Sequence, residues 1–322
     1  MDKKAFTTFL IVAFLALSAV ALYVLIGVTS MTVPVRNFIL PRRLMEILAI
    51  FLVSVSVAYS SVIFQTITNN RILTPAIIGF ESVYMFVQTV IVFVFSSGTY
   101  FITATPNFIL SIAVMMLFSL LLYSLMFKKG EGKNIYFLLL VGMILGTMFS
   151  SLTTFMQMLI DPSEFLIVQA RIFASFNAIN QALVFVSLGA VALTILYSLP
   201  MTKYLDVMLL GRETAMSLGV NYSALSKRFL FIIAVLVSVS TALVGPVIFL
   251  GILVTNITYQ LIKTHKHSYI IPTCVAVTVL TLVGGQYLVA RVLNFSTTLS
   301  IIINFAGGVY FIYLLLRENK SW

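Results

Sequence analysis

Charge is what this sequence has least of. Asp, Glu, Lys and Arg make up 9% of its 322 residues, and only nine of them are acidic. A soluble protein carries about 25%, and no soluble fold has interior enough for a chain that is 61% apolar. Cysteine is reduced to Cys274 inside an apolar run, which excludes an intramolecular disulfide and a secreted disulfide scaffold. Histidine occurs twice, as His265 and His267 of a Lys-Thr-His-Lys-His stretch. The flanking lysines oppose a bound cation, so a solvated loop is expected there and no metal site. The patterns G-x-x-x-x-G-K-[ST], G-x-S-x-G and H-E-x-x-H are all missing. The carboxylates do not pair as acid and base, and Glu46 and Glu81 fall near the ends of apolar runs. No catalytic residue, cofactor or resident metal is assigned, and proton coupling in mid-membrane is disfavoured.

What is present is hydrophobicity: the mean hydropathy is +1.13. The net charge of +10 would suit a nucleic-acid partner if it were clustered, but the basic residues lie between apolar runs, as in a polytopic membrane protein. Those runs are 6–28, 44–66, 77–96, 107–127, 134–157, 175–198, 227–249, 251–262, 269–289 and 298–316. A span needs roughly 20 apolar residues. The eighth run is shorter and is expected either to stop at half depth or to extend into the Lys263–Ser268 loop. The first follows Lys3 and Lys4, is longer than a signal-peptide core and has no cleavage site after it, so it is read as an uncleaved span. With the N-terminus inside, only Arg36, Arg42, Arg43, Arg171 and Arg291 of the nineteen basic residues lie outside; the inner set includes Lys128, Lys129, Lys133 and Lys320. That bias sets the orientation. The expected fold is all-α: a single domain over 1–322 with about ten transmembrane helices and both termini cytoplasmic.

Two further features carry function. The cytoplasmic stretch 199–228, LPMTKYLDVMLLGRETAMSLGVNYSALSKR, is longer than a hairpin needs. It is expected to hold short helices over Tyr204–Leu210 and Glu213–Leu218, ended by Gly211 and Gly219. Its residues Val207, Leu210, Ala215 and Leu218 would face lipid headgroups or another protein. Amides such as Gln65, Asn69, Asn70, Gln88, Gln157, Asn177 and Asn256 sit in or beside spans, where they either join helices or line a pathway. Pro75 breaks any helix running on from the second span, so a capped turn and an inner gate both remain open readings for 65–79.

Four stretches resemble one known family. Leu40-Pro41-Arg42 is similar to its R-L-P-R. QTITNNRILTPAIIG, from Gln65 through Asn70 and Pro75 to Gly79, is similar to its Q-x-x-x-x-N-P-L-A-x-P-x-x-L-G. LLGRETAMSLGV matches its L-G-x-x-x-A-x-x-L-G at Leu210, Gly211, Ala215, Leu218 and Gly219. GPVIFLGILVTNI resembles its G-x-I-x-F-V-G-L-I-V-P-H. The chain thus resembles the membrane permeases of type II ABC importers for iron-siderophore, haem and vitamin B12. The resemblance implies a bacterial plasma- or inner-membrane permease with cytoplasmic ATP-binding subunits, a second permease and a lipid-anchored or periplasmic substrate-binding protein as partners. It implies a ferric siderophore as cargo, ATPase coupling through Leu210–Gly219, a pathway or gate at Gln65, Asn69, Asn70, Pro75 and Gly79, and docking of the binding protein at Arg42, Arg43 and Arg291. Departures at Ile39, Thr255-Asn256, Gln260, Gly284–Gln286 and Thr298–Ile301 suggest one half of a heterodimer in place of a homodimer. A stand-alone secondary carrier or structural membrane protein is the other reading the residues leave open.

Overall fold

In hydrocarbon every backbone polar group must be satisfied within the chain, so apolar runs of this length fold as helices. The computed structural model describes residues 3–26, 33–95, 104–127, 135–176 and 179–318. Lys128, Lys129, Lys133, Asn177 and Lys320 lie outside the described residues. Thirteen α-helices are described: α1 Lys3–Leu25, α2 Val33–Thr68, α3 Phe80–Phe95, α4 Ala104–Phe127, α5 Ile135–Leu159, α6 Pro162–Ile172, α7 Gln181–Ser198, α8 Thr202–Met208, α9 Arg212–Ser217, α10 Tyr222–Val244, α11 Leu250–Leu261, α12 His267–Arg291 and α13 Leu299–Glu318. Seven are long and apolar enough to cross a membrane, and α3, α11 and α13 are shorter apolar helices. Together these ten correspond one for one to the ten apolar runs of the sequence.

The centre is built from α2, α10 and α12, with α1 laid against α12 and α3, α4 and α5 packed on the other side of α10. The outward faces of α1, α5 and α7 stay apolar and exposed, with Phe14, Leu17, Ile144, Phe155, Leu193 and Leu196 among them. That is the pattern of helices facing lipid or a partner chain.

The structure departs from the sequence reading at three places. α2 begins eleven residues before the second apolar run and carries Pro41 inside it, giving a 36-residue helix. At about 54 Å it is longer than the hydrocarbon core and must protrude or tilt. α3 starts only at Phe80, after a 3₁₀ turn over Pro75–Ile78. α6 occupies a segment read as a plain connection; Asp161 precedes it and Pro162 fills its first position, where the missing N–H costs nothing. Of the two expectations for the eighth run, the extension is the one not seen: α11 ends at Leu261, before the following loop.

Candidate functional site

The inner end of α2 closes in a two-bond cap. Asn70 N–H donates to the Gln65 carbonyl (3.1 Å), Asn69 N–H donates to Thr66 (3.2 Å), and Asn69 takes φ +48. This is the left-handed helix stop that asparagine tolerates in place of glycine. The Asn70 side chain then accepts the Ile72 N–H at 2.9 Å. Gln65 reaches forward from the helix, its amide donating to the Arg71 carbonyl (2.8 Å) and to Thr255 Oγ1 (2.9 Å). Asn256 donates to the same Arg71 carbonyl at 3.3 Å. The two positions that depart from the family's Pro-His therefore pin the turn after α2, and the Arg71 guanidinium covers the Tyr259 ring at 5.0 Å. Gln65, Asn69 and Asn70 meet at one place, a capped turn bound to α11.

Pro75 and Gly79 serve the same connection further on. Gly79 has φ +94 and lies on α5, where a Cβ would come within 2.8 Å of the Gly146 Cα. A Cβ on Gly142 would come within 2.8 Å of the Ile78 carbonyl oxygen. Gly142 and Gly146 form a G-x-x-x-G on α5, the small-residue notch by which membrane helices accept a close neighbour. Sequence reasoning passed over this signal because it sits inside an otherwise continuous apolar run.

The 199–228 stretch forms the two short helices α8 and α9, one to two residues from the expected bounds. Gly211 (φ +94) and Gly219 (φ +84) both take left-handed angles, as the sequence required. Gly219 N–H donates to Met216 and Val220 N–H to Ala215, the same two-bond cap as at Asn69. One expectation is corrected. Ala215 does not face outward: it is 0% exposed and anchors α9 to the body of the protein. Leu210, Met216 and Leu218 are the outward apolar residues, Leu218 at 61% exposure.

A second correction concerns His267. It is not solvated but 2% exposed. Its ring Nδ1 pairs with Asp206 Oδ1 at 2.6 Å, its backbone N–H donates to the same oxygen at 2.8 Å, and its Nε2 bonds Thr66 Oγ1 at 2.7 Å. Asp206 belongs to α8, His267 opens α12 and Thr66 lies one residue from Gln65 at the end of α2. The carboxylate also sits at the N-terminus of α12, where its charge is favoured. These groups border a cleft of about 420 Å³ that also includes Asn69, Asn70, Leu209 and Leu210. The 199–228 stretch is thereby bonded to the turn at the end of α2. Replacing Asp206 by alanine removes the acceptor of both His267 bonds and is expected to lower the thermal unfolding midpoint by a few degrees; an unchanged midpoint would refute this link.

On the outer side, Arg43 Nη1 donates to the carbonyls of Tyr23 (3.2 Å), Val24 (2.8 Å) and Ile26 (2.9 Å), closing the end of α1. Arg291 reaches the Ile26 carbonyl at 3.2 Å. Glu46 accepts from Tyr23 (2.9 Å) and from Gln286, joining α1, α2 and α12. Arg42, Arg43, Glu46 and Arg291 line one outer cavity of about 490 Å³. Deeper in the outer half, Gln88 and Asn107 exchange amide hydrogen bonds at 2.9 Å in both directions, so here the amides do join helices.

The petrobactin import system permease protein YclO of Bacillus subtilis (strain 168) is 55% identical over 89% of this chain and 91% of that protein. The petrobactin import system permease proteins FatC and FatD of Bacillus anthracis are 36% identical (87% of this chain, 79% of that protein) and 24% identical (86% and 81%), respectively. A solved metal-chelate type ABC transporter in an inward-facing conformation superposes with a TM-score of 0.83 at 21% identity, over 97% of this chain and 99% of that one; at such identity the likeness concerns the fold. The family model covers residues 6–317, nearly the whole chain, and this multi-pass membrane protein belongs to the FecCD transport family.

Proposed function

We propose that this chain is one of two different permease subunits of an ATP-driven bacterial importer, and that its cargo is a ferric siderophore of the petrobactin type. The observation that carries the reading is 55% identity, sustained over nine-tenths of both chains, to a petrobactin import permease. The stand-alone carrier has no observation in its favour.

Each surface then has a task. Leu210 and Leu218, just after α8 and α9, meet the cytoplasmic ATP-binding subunit, and Asp206 and His267 pass its movement to the inner turn at Gln65, Asn69 and Asn70. The second permease meets α5. That helix exposes Thr147, Ser151 and Thr154 on one face, and their hydroxyls bond back to their own helix's carbonyls. Such a mildly polar stripe suits a passage for a large polar cargo that must not be held tightly. The two unlike permeases FatC and FatD, matched at 36% and 24%, favour a heterodimer in which this chain takes the FatC-like place. The substrate-binding protein docks on the outer rim. Arg43 there serves mainly to close α1, and Arg42 and Arg291 offer charge to acidic groups of the partner, an attraction that salt weakens.

Uptake of radioactive iron separates the cargo readings. Cells lacking this chain are expected to lose uptake of ferric petrobactin at least tenfold while keeping uptake of a ferric hydroxamate. Loss of hydroxamate or cobalamin uptake with petrobactin uptake intact would overturn the assignment.

A further inference from the structure

Glu81 is used by none of the roles above, yet it is the most unusual side chain in the molecule. It stands in the first turn of α3 and is 8% exposed. The sequence places it near the end of an apolar run. The structure places it deep, because the connection between α2 and α3 turns back into the protein before the helix starts. Gly79, two residues earlier, rests on Gly146, which lies eleven residues into the 25-residue α5. That is about 16 Å along a helix of about 37 Å, close to half depth.

A second helix break arrives at the same level. α10 ends at Val244, the chain passes through Gly245–Phe249, and α11 begins at Leu250. Gly251 touches Ser61 of α2 so closely that a Cβ would come within 2.4 Å of the serine oxygen. Irregular backbone at membrane depth is tolerated where it is buried in protein or lines a hydrated cavity. Here the two breaks border a half-open cavity of about 40 Å³, lined by Ser60, Ser61, Thr74, Glu81, Ser240 and Thr241 together with apolar and glycine positions. At 10–15 Å³ per water it holds roughly three waters, or one ion with water.

The polar groups facing it fall into two sets. Ser60 and Ser240 donate to carbonyls of their own helices, at 3.2 and 3.1 Å. The side chains of Ser61, Thr74, Glu81 and Thr241, each at least nine-tenths buried, form no hydrogen bond to any described residue. Among the described residues, Glu81 is the only ionisable group on the cavity wall. A carboxylate buried without a counter-charge costs several kcal/mol. The N-terminus of α3 favours its ionised form but contributes only about half a charge. To stay ionised Glu81 needs a positive charge beside it; otherwise it takes up a proton.

The donor set defines what supplies it. One carboxylate and neutral hydroxyls are hard oxygen ligands, which select against soft transition metals. A single negative charge balances a monovalent ion, whereas a divalent ion would leave a net positive charge in a low-dielectric interior. We infer that this cavity binds one small monovalent cation, sodium or a hydrated proton, with Glu81 as the charged ligand and Ser61, Thr74 and Thr241 as neutral ones. Its ligands come from α2, the turn before α3, α3 itself and α10, so occupancy fastens the two helix breaks to each other. Intramembrane carboxylates in cavities of this kind are rarely incidental.

The test uses the purified importer complex in lipid nanodiscs and involves no cargo, so it stands or falls apart from the proposed function. The thermal unfolding midpoint is measured in N-methylglucamine buffer with sodium titrated at fixed pH, then with pH varied without sodium. A saturable rise of about 2–4 °C in one of the two series is expected. A rise with sodium identifies the metal ion, and a rise on acidification alone identifies the proton. Glu81→Gln, which keeps the shape and removes the charge, is expected to abolish the response, and Asp161→Asn to keep it. Should Glu81→Gln fail to fold, Ser61→Ala serves instead, with a half-saturating concentration raised about tenfold. Absence of both responses in the wild type, an unaltered response in Glu81→Gln, or an unaltered half-saturation in Ser61→Ala would overturn the inference.

Discussion

Replacing Gly146 by valine is expected to remove the folded permease from the membrane fraction. The two chains of backbone at this point leave no space for a side chain. A Cβ on Gly146 would stand 3.0 Å from the Gly79 Cα, and one on Gly79 would stand 2.8 Å from the Gly146 Cα. Neither obstacle is a side chain that can rotate away. Relief requires moving the turn at Gly79, and that turn is held at φ +94 with Pro75–Ile78 immediately before it. In lipid the packing of helices rests on close van der Waals approach, since the tails outside are as apolar as the interior. Overpacking at this point costs about 1–3 kcal/mol, and more where backbone must move, against a total stability of about 5–15 kcal/mol. The monodisperse peak in size-exclusion chromatography should fall severalfold and the thermal midpoint of the remainder should drop. Gly189→Val on α7, where a Cβ meets nothing within 4 Å, should behave as wild type. Equal yield and midpoint for Gly146→Val would remove the glycine notch from the account of the fold.

Hydropathy made the ten apolar helices legible, and glycine spacing made the left-handed angles at Gly211 and Gly219 legible. What it left hidden is position along the membrane normal. Glu81 reads as a span-end residue because hydropathy registers a run's boundary without its depth; only the contact of Gly79 with Gly146, 67 residues away in the chain, reveals that α3 begins inside. The same holds for His267. Its lysine neighbours make the loop look solvated, but its partners Asp206 and Thr66 come from 61 and 201 residues away. The outer arginines show the reverse problem. Their excess against the charge bias pointed to a partner protein, and local geometry explains much of it, since the carbonyls at the end of α1 lack intrahelical donors and Arg43 supplies them. Thr255 and Asn256 were legible only as departures from a motif. Their hydrogen bonds to Gln65 and to the Arg71 carbonyl show that here they hold the inner turn.

Leu210→Asp combined with Leu218→Asp is expected to release the ATP-binding subunit while leaving the permease folded. Both leucines are more than half exposed, Leu210 at 58% and Leu218 at 61%. They are not holding the protein together; that task falls to Ala215 and Leu205, both 0% exposed. Nor are they loosely placed, because the left-handed turns at Gly211 and Gly219 fix the direction in which α9 presents them. Burying a leucine in an interface stabilises it by about 1.5–3 kcal/mol, and an aspartate in its place adds the cost of desolvating a charge. Together the two substitutions should weaken the association at least about 100-fold, or about 3 kcal/mol. Binding of the isolated ATP-binding subunit to the permease complex in nanodiscs measures this directly, with the unfolding midpoint as the control for folding. The wild-type affinity should change little between low and high salt, since the contact is apolar, in contrast to the outer rim, where salt should weaken capture of the binding protein. Ser217→Ala, on the same short helix but engaged with its own Glu213 carbonyl, should bind as wild type. Wild-type affinity in the double variant would move the ATPase contact away from α8 and α9 altogether.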